Sequence, residues 1–311
     1  TFVLLHHVHH KFDKKTEKTI TLVKKADWGI HHALSQNFPL NDSTLLDSDD
    51  SDGIKVTLVR SYWGVFEKFV AISKFRKNRF IKTALIGGKL DQDFAALYLQ
   101  DNNRPLVIAG KSKITGKAFL PTQGIRPGGI GGEFYRFKTP IFGGMQQSSS
   151  KLPTINHELR TNLKTLLKQS LTGMEKSHMA YRDELKLANS FASPIKFIYG
   201  DLLRISGANL AGNIVLKANG TIIIEANSII KDVLFVAPKI IIENGFKGTL
   251  QAIASESINV EKNVVLEYPS ALVVESKETP NRKVSNSFGI HVQGNAIING
   301  ILAYLDDSDE T

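Results

Sequence analysis

Three stretches decide the fold: Thr221-Ile222-Ile223-Ile224-Glu225-Ala226-Asn227, Lys239-Ile240-Ile241-Ile242-Glu243-Asn244-Gly245 and Ser257-Ile258-Asn259-Val260-Glu261-Lys262-Asn263. They begin 18 residues apart, and four columns keep that register: Ile222/Ile240/Ile258, Ile224/Ile242/Val260, Glu225/Glu243/Glu261 and Asn227/Gly245/Asn263. Residues i and i+2 of a strand share one face. Each aliphatic pair therefore points inward and stacks on the pair one coil away. A single coil cannot bury that face, but stacked coils can. The Asn/Gly/Asn column falls where the chain must turn, and these residue types tolerate positive φ. A six-residue rhythm runs beneath the repeat through Leu210, Leu216, Ile222, Ser228, Leu234, Ile240, Phe246, Ala252, Ile258 and Val264. It cuts each coil into three short sides. The expectation is a mainly β chain built on a parallel β-helix with 18-residue coils.

Outward from this repeat, the chain reads as four segments. The main β-helix and an acidic tail occupy 195–311, with a polar insertion at 275–287, a return of the motif at Val292/Gly294 and Ile298/Gly300, and carboxylates at 306–310. Before it, 151–194 reads as a helical insertion. A helix over 155–190 would carry the stripe Leu159, Leu163, Leu166, Leu167 and Met174, a candidate docking or capping helix. Ile108/Gly110, Ile114/Gly116 and Leu120 repeat the six-residue spacing, so 104–150 reads as a first β-helix segment with a glycine-rich irregular stretch. Residues 1–103 open with a helix over 2–35. A loop rich in aspartate follows at 47–53, then a small antiparallel sheet with strands near 54–59, 66–72, 80–86 and 95–99.

Composition bounds the partners. The 311 residues carry 39 basic and 30 acidic side chains, a formal charge of +9 and a pI near 9.5, which favours acidic partners without choosing among them. Cysteine is absent, which removes disulfides, thiol catalysis and thiolate metal sites. Phe2, Val3, Leu4 and Leu5 are followed by His6, His7, His9 and His10 and then by Lys11, Lys14, Lys15 and Lys18. That order reads as the trailing end of a hydrophobic anchor with a basic flank.

The tandem aliphatic–x–Gly pattern, carried by Ile108/Gly110, Ile114/Gly116, Leu210/Gly212, Val292/Gly294, Ile298/Gly300 and the four columns, resembles the bactofilin family of β-helices. That resemblance covers about 104–130 and 196–305. It implies a scaffold that polymerises end to end without nucleotide. The 18-residue coil is shared with left-handed hexapeptide acyltransferases, whose chemistry needs a histidine in the solenoid wall; His291 is the only candidate. A long N-terminal helix followed by a small sheet resembles pilin-like subunits. The whole is similar to uncharacterised bacterial envelope proteins.

Several residue groups carry candidate chemistry. Lys68, Lys74, Arg76, Lys77, Arg79 and Lys82, interleaved with Phe66, Phe69, Phe75 and Phe80, form the densest basic patch and suit phosphate, nucleic acid or anionic glycan. His6 and His10 stand at i, i+4 but lack a third metal ligand. Stacked Glu225, Glu243 and Glu261 would repel one another, so they either hold a cation or splay into water. Gly128-Gly129-Ile130-Gly131-Gly132 lacks the Lys-Ser/Thr ending of a phosphate loop. These features favour a non-enzymatic structural or assembly protein of the bacterial cell envelope, extracytoplasmic and anchored at its N-terminus. It would use its β-helix to associate with itself or with a protein partner. The alternatives are a pilin-like or secretion-machine component binding DNA or anionic glycan, and a carbohydrate-active β-helix enzyme. No cofactor, metal or catalytic residue is expected.

Overall fold

The computed structural model describes residues 2–46, 53–87, 95–151, 153–168, 178–276 and 288–305. The aspartate run at 47–52, Met174, most of the polar insertion and the acidic tail lie outside the described residues. By compactness the chain divides into two units, 1–87 with 157–306 and 88–156 with 307–311.

The larger unit begins with α1 (Phe2–Ala33) and an antiparallel meander of β1 (Ser43–Leu46), β2 (Lys55–Trp63), β3 (Phe66–Phe75) and β4 (Asn78–Ile86). Only the C-terminal half of α1 has an apolar stripe that meets the sheet: Leu22, Ala26, Ile30 and Ala33 bury against Val56, Leu58, Phe69 and Ala71. Gly29 lets the helix approach, since a Cβ there would lie 3.0 Å from Val56 and 3.1 Å from Ala71. The Ser73 hydroxyl, buried at the contact, donates to the Leu22 carbonyl at 2.7 Å. The first turns of α1 leave Phe2, Leu4, Leu5, Val8 and Phe12 exposed. Among the described residues no helix is long and apolar enough to cross a membrane.

The rest of this unit is the expected parallel solenoid, a ten-stranded sheet wound into three walls. One wall carries the sequence repeat. Its inward columns run Leu203, Ile222, Ile240, Ile258, Ile290 and Ile205, Ile224, Ile242, Val260, Val292. The second carries Leu187, Leu210, Ile230, Gly248, Leu266 and Ile298, and the third carries Ile198, Leu216, Phe235, Ala252, Leu272 and Leu302. Most of these residues are fully buried, and each aliphatic one contributes roughly 1.5–3 kcal/mol.

Several expectations need correction. The helix expected over 155–190 is described only as α2 (His157–Lys168); His178–Ala180 and Lys186–Asn189 are strands that pair in parallel with Lys196–Ile205 and Asn209–Gly212. The solenoid reclaims this segment because Tyr181, Leu185 and Leu187 cover its first coil. Leu234 points outward rather than inward. Asp232, at φ 55°, inserts an extra residue between Lys231 and Val233, so Phe235 takes the inward place. Gly245 and Asn263 turn with positive φ as expected, but Asn227 does not. Its side chain instead braces the corner, accepting from Gly207 N–H at 2.9 Å and donating to Ser206 Oγ at 3.2 Å.

The smaller unit is also built on parallel pairs. Lys117–Leu120 lies between Ala95–Tyr98 and Met145–Gln147, Leu106–Ile108 pairs with Ile125–Pro127, and Ile114–Thr115 with Ile141–Phe142. The strand expected at 95–99 thus belongs here and not to the antiparallel sheet, whose remaining member is β1. A compact core of Ala118, Leu120 and Ile141 holds the unit together.

Candidate functional site

The third solenoid wall is apolar on both faces. Its outward residues Val215, Leu234, Val236, Ile253, Ala271 and Val273 are buried as completely as its inward ones. The cover comes from α2 and from the turn between β2 and β3. Leu163 of α2 is buried, while Leu159, Leu166 and Leu167 are half-buried, and α2 packs against Ile229–Ile242 and Lys247–Val260. The leucine stripe is thus engaged on the chain's own solenoid; Met174 lies outside the described residues.

Polar groups fix this cover in register. Gln251, on the outward face, accepts from Val65 N–H at 2.8 Å and donates to the Trp63 carbonyl at 3.2 Å. Gly64 sits at φ 63° between them, where a Cβ would fall 2.1 Å from Gln251 Oε1. Asn162 of α2 donates to the Gly64 carbonyl at 3.2 Å, and Trp63 meets Phe191 edge to face at 4.8 Å. Arg160 of α2 reaches Glu275 at 3.1 Å, both side chains being buried, with the Lys164 ammonium at 3.8 Å. Lys217 donates to the Leu166 and Leu167 carbonyls at the C-terminal end of α2, a favourable place for a cation. Burial pushes its ammonium down to about 8. Arg60 of β2 forks onto Glu67 at 2.7 and 3.2 Å and reaches Glu158 of α2 at 3.1 Å; the Glu67 bond raises the guanidinium pKa.

The last coil differs from those beneath it. Val260, Leu272 and Val274 are sealed at 0% exposure, whereas the residues stacked on them, Val292, Leu302 and Tyr304, are 46–48% exposed. Ile297 and Ile301 on the same strand are exposed as well. Among the described residues no strand pairs with the far edge of Ile297–Leu305. Among the described residues the inward columns therefore end in an open apolar cross-section with an unpartnered strand edge.

The predicted basic patch is divided. Lys74 and Arg79 are cross-strand partners on the sheet face away from α1, with Lys55 across from Lys74, and Arg76 and Lys77 form the turn, Arg76 at φ 53°. Lys68 lies six residues up β3, half-buried, its ammonium pushed down by desolvation. Lys82 is on the α1 face and paired with Asp27. Four of the six cations thus gather at the hairpin tip. β1 ends at Leu46 and β2 begins with Lys55 at that same end.

The glutamate column has a cation of the chain's own beside it. Arg204, one coil before Glu225, pairs with it at 2.5 Å and with Glu243 at 3.4 Å. Hydrogen bonds from Ser206 and Arg204 keep the Glu225 carboxyl below the usual range. Glu261 accepts from Asn244 N–H at 3.0 Å. His6 and His10 lie exposed on α1, and His291 is exposed on the final coil.

The covered wall was missed in the sequence, although a signal existed. Val233-Leu234-Phe235-Val236-Ala237 and Ala271-Leu272-Val273-Val274 are continuous apolar runs, the signature of strands buried on both faces. No known protein family, no curated protein and no solved structure matches the chain.

Proposed function

We propose that this is a non-enzymatic structural protein of the bacterial cell envelope, held at a membrane by the first turns of α1, that assembles through the last coil of its solenoid. The observation that carries the reading is the open apolar end formed by Val292, Leu302 and Tyr304. A coil end is a triangular ring of strand edges around an apolar core, so the surface that matches its outline best is another coil. Exposed contiguous apolar surface of this kind marks an interface. The exposed Phe2, Leu4, Leu5, Val8 and Phe12 on α1, followed by Lys11, Lys14 and Lys15, support contact with a membrane surface.

Sedimentation velocity across a concentration series tests the assembly. The parent chain associates as concentration rises, and Leu302→Asp with Tyr304→Asp shifts it to monomer without changing its circular dichroism. A parent chain that stays monomeric throughout, or a variant that associates equally, would refute self-assembly through this end.

A further inference from the structure

One stretch of the smaller unit brings cations and rings together. Between residues 102 and 147 the sequence holds seven basic side chains and one carboxylate, Glu133. That carboxylate is taken by Arg136 at 2.6 Å. Around the pairing of Ile114–Thr115 with Ile141–Phe142, the rings and a cation form a continuous ridge. The Lys113 ammonium stands 4.6 Å from the Phe137 ring and 5.4 Å from the Phe142 ring, and Tyr135 lies 6.0 Å from Phe137. Phe137 and Phe142 are exposed, and Phe134, beside Gly129, is 74% exposed. Lys111 and Lys138 flank the ridge in the chain and are exposed. Lys111 also borders an open cleft of about 350 Å³ beside Glu133 and Ile130.

A compact unit of this size does not leave several phenylalanine rings in water for its own stability; its core of Ala118, Leu120 and Ile141 includes none of them. Exposed rings alternating with cations are what a flexible polyanion with flat, apolar groups requires. Single-stranded nucleic acid has both, since each base offers a π-face and each nucleotide a phosphate. In a duplex the bases are already stacked and unavailable to the rings. A chain of sugar acids offers charge, but its hydroxyls need hydrogen-bonding side chains. The single hydroxyl of the ring cluster, on Tyr135, is donated to the Thr139 carbonyl at 3.0 Å.

We propose that the ridge of Tyr135, Phe137, Lys113 and Phe142 binds single-stranded nucleic acid, the rings stacking bases while Lys111, Lys113 and Lys138 neutralise phosphates. Recognition tolerates sequence and weakens steeply with salt.

Fluorescence anisotropy of a labelled oligothymidylate of about 15 nucleotides, titrated with the full chain at about 50 mM salt, tests this. The parent chain binds saturably. Phe137→Ala with Phe142→Ala weakens binding about tenfold or more. Lys111→Gln with Lys138→Gln, both at exposed positions, flattens the salt dependence. The proposal is overturned by absent binding at low salt, or by equal or tighter binding of a duplex of the same length or of polygalacturonate. Undiminished binding by both ridge variants overturns it equally.

Discussion

Two walls of the same solenoid coil are built by opposite rules. The wall through Ile222, Ile240 and Ile258 alternates: inward residues are fully buried, while Ile223, Ile241 and Asn259 between them are half-exposed. The wall through Leu216, Phe235 and Ala252 does not alternate, because α2 and the β2–β3 turn bury its outer face too. Where only one face is buried, a one-residue slip would expose the whole hydrophobic set, and Ile222, Ile240 and Ile258 keep a spacing of 18. Where both faces are buried, a slip costs less in patterning, and the chain spends 19, 17 and 20 residues from Leu216 to Phe235, Ala252 and Leu272.

The sharpest way to break this comparison is to place one charge on the outer face of each wall. Ile253→Asp buries a carboxylate under the cover and loses about 3–5 kcal/mol. Ile241→Asp, on the alternating wall, loses about 1 kcal/mol or less. Urea unfolding midpoints measure both, and equal losses would dissolve the distinction between the walls.

Next in size is the ion pair that ties α2 to the covered wall. Glu275→Ala removes the buried carboxylate that Arg160 and Lys164 reach and costs about 3 kcal/mol. Arg160→Met combined with Glu275→Met recovers most of that loss, because an apolar pair needs no compensation there. If the double variant is as unstable as the single one, the contact is not a buried ion pair in the sense described.

Lys217 sharpens the comparison through pH. Its ordinary value of 10.5 falls to about 8 on burial. Between those values the unfolded chain holds the proton and the folded chain has released it, so stability rises with pH across that window. Below about pH 8 both states hold it and the slope vanishes. Thermal unfolding of Lys217→Met should lack the rise that the parent chain shows.

The smallest effect belongs to the alternating wall. Arg204 bridges Glu225 and Glu243 but is exposed, so Arg204→Gln barely moves the urea midpoint, and moves it less at high salt. A larger loss in denaturant titration would mean that the glutamate column depends on its guanidinium for more than relief of repulsion.

The same contrast explains what was legible. Ile-x-Ile-Glu is visible because backbone register and side-chain period coincide on that wall. The extent of α2 was not legible, because the solenoid takes back Lys186–Asn189 through contacts distant in sequence. Gln251, Lys217 and Glu275 read as stray polar residues in apolar strands; only the cover, over a hundred residues away for Trp63 and Val65, makes them hydrogen-bonding anchors. The basic hairpin was legible as composition. Its division between the two faces of the sheet depends on β3 and β4 pairing Lys74 with Arg79 and placing Lys82 toward α1. The open final coil had no sequence signal, since Val292 and Leu302 carry the same residue types as the sealed coils below.

Assembly through that coil has a direct readout in backbone amide exchange of residues 297–305 measured over a range of protein concentrations. The account predicts that the amides of this strand not bonded to Val265–Glu275 exchange fast in dilute protein and gain protection as copies meet, with sealed Val260 and Leu272 protected throughout. Exchange of these amides that stays fast at every concentration while the inner coils remain protected would contradict it.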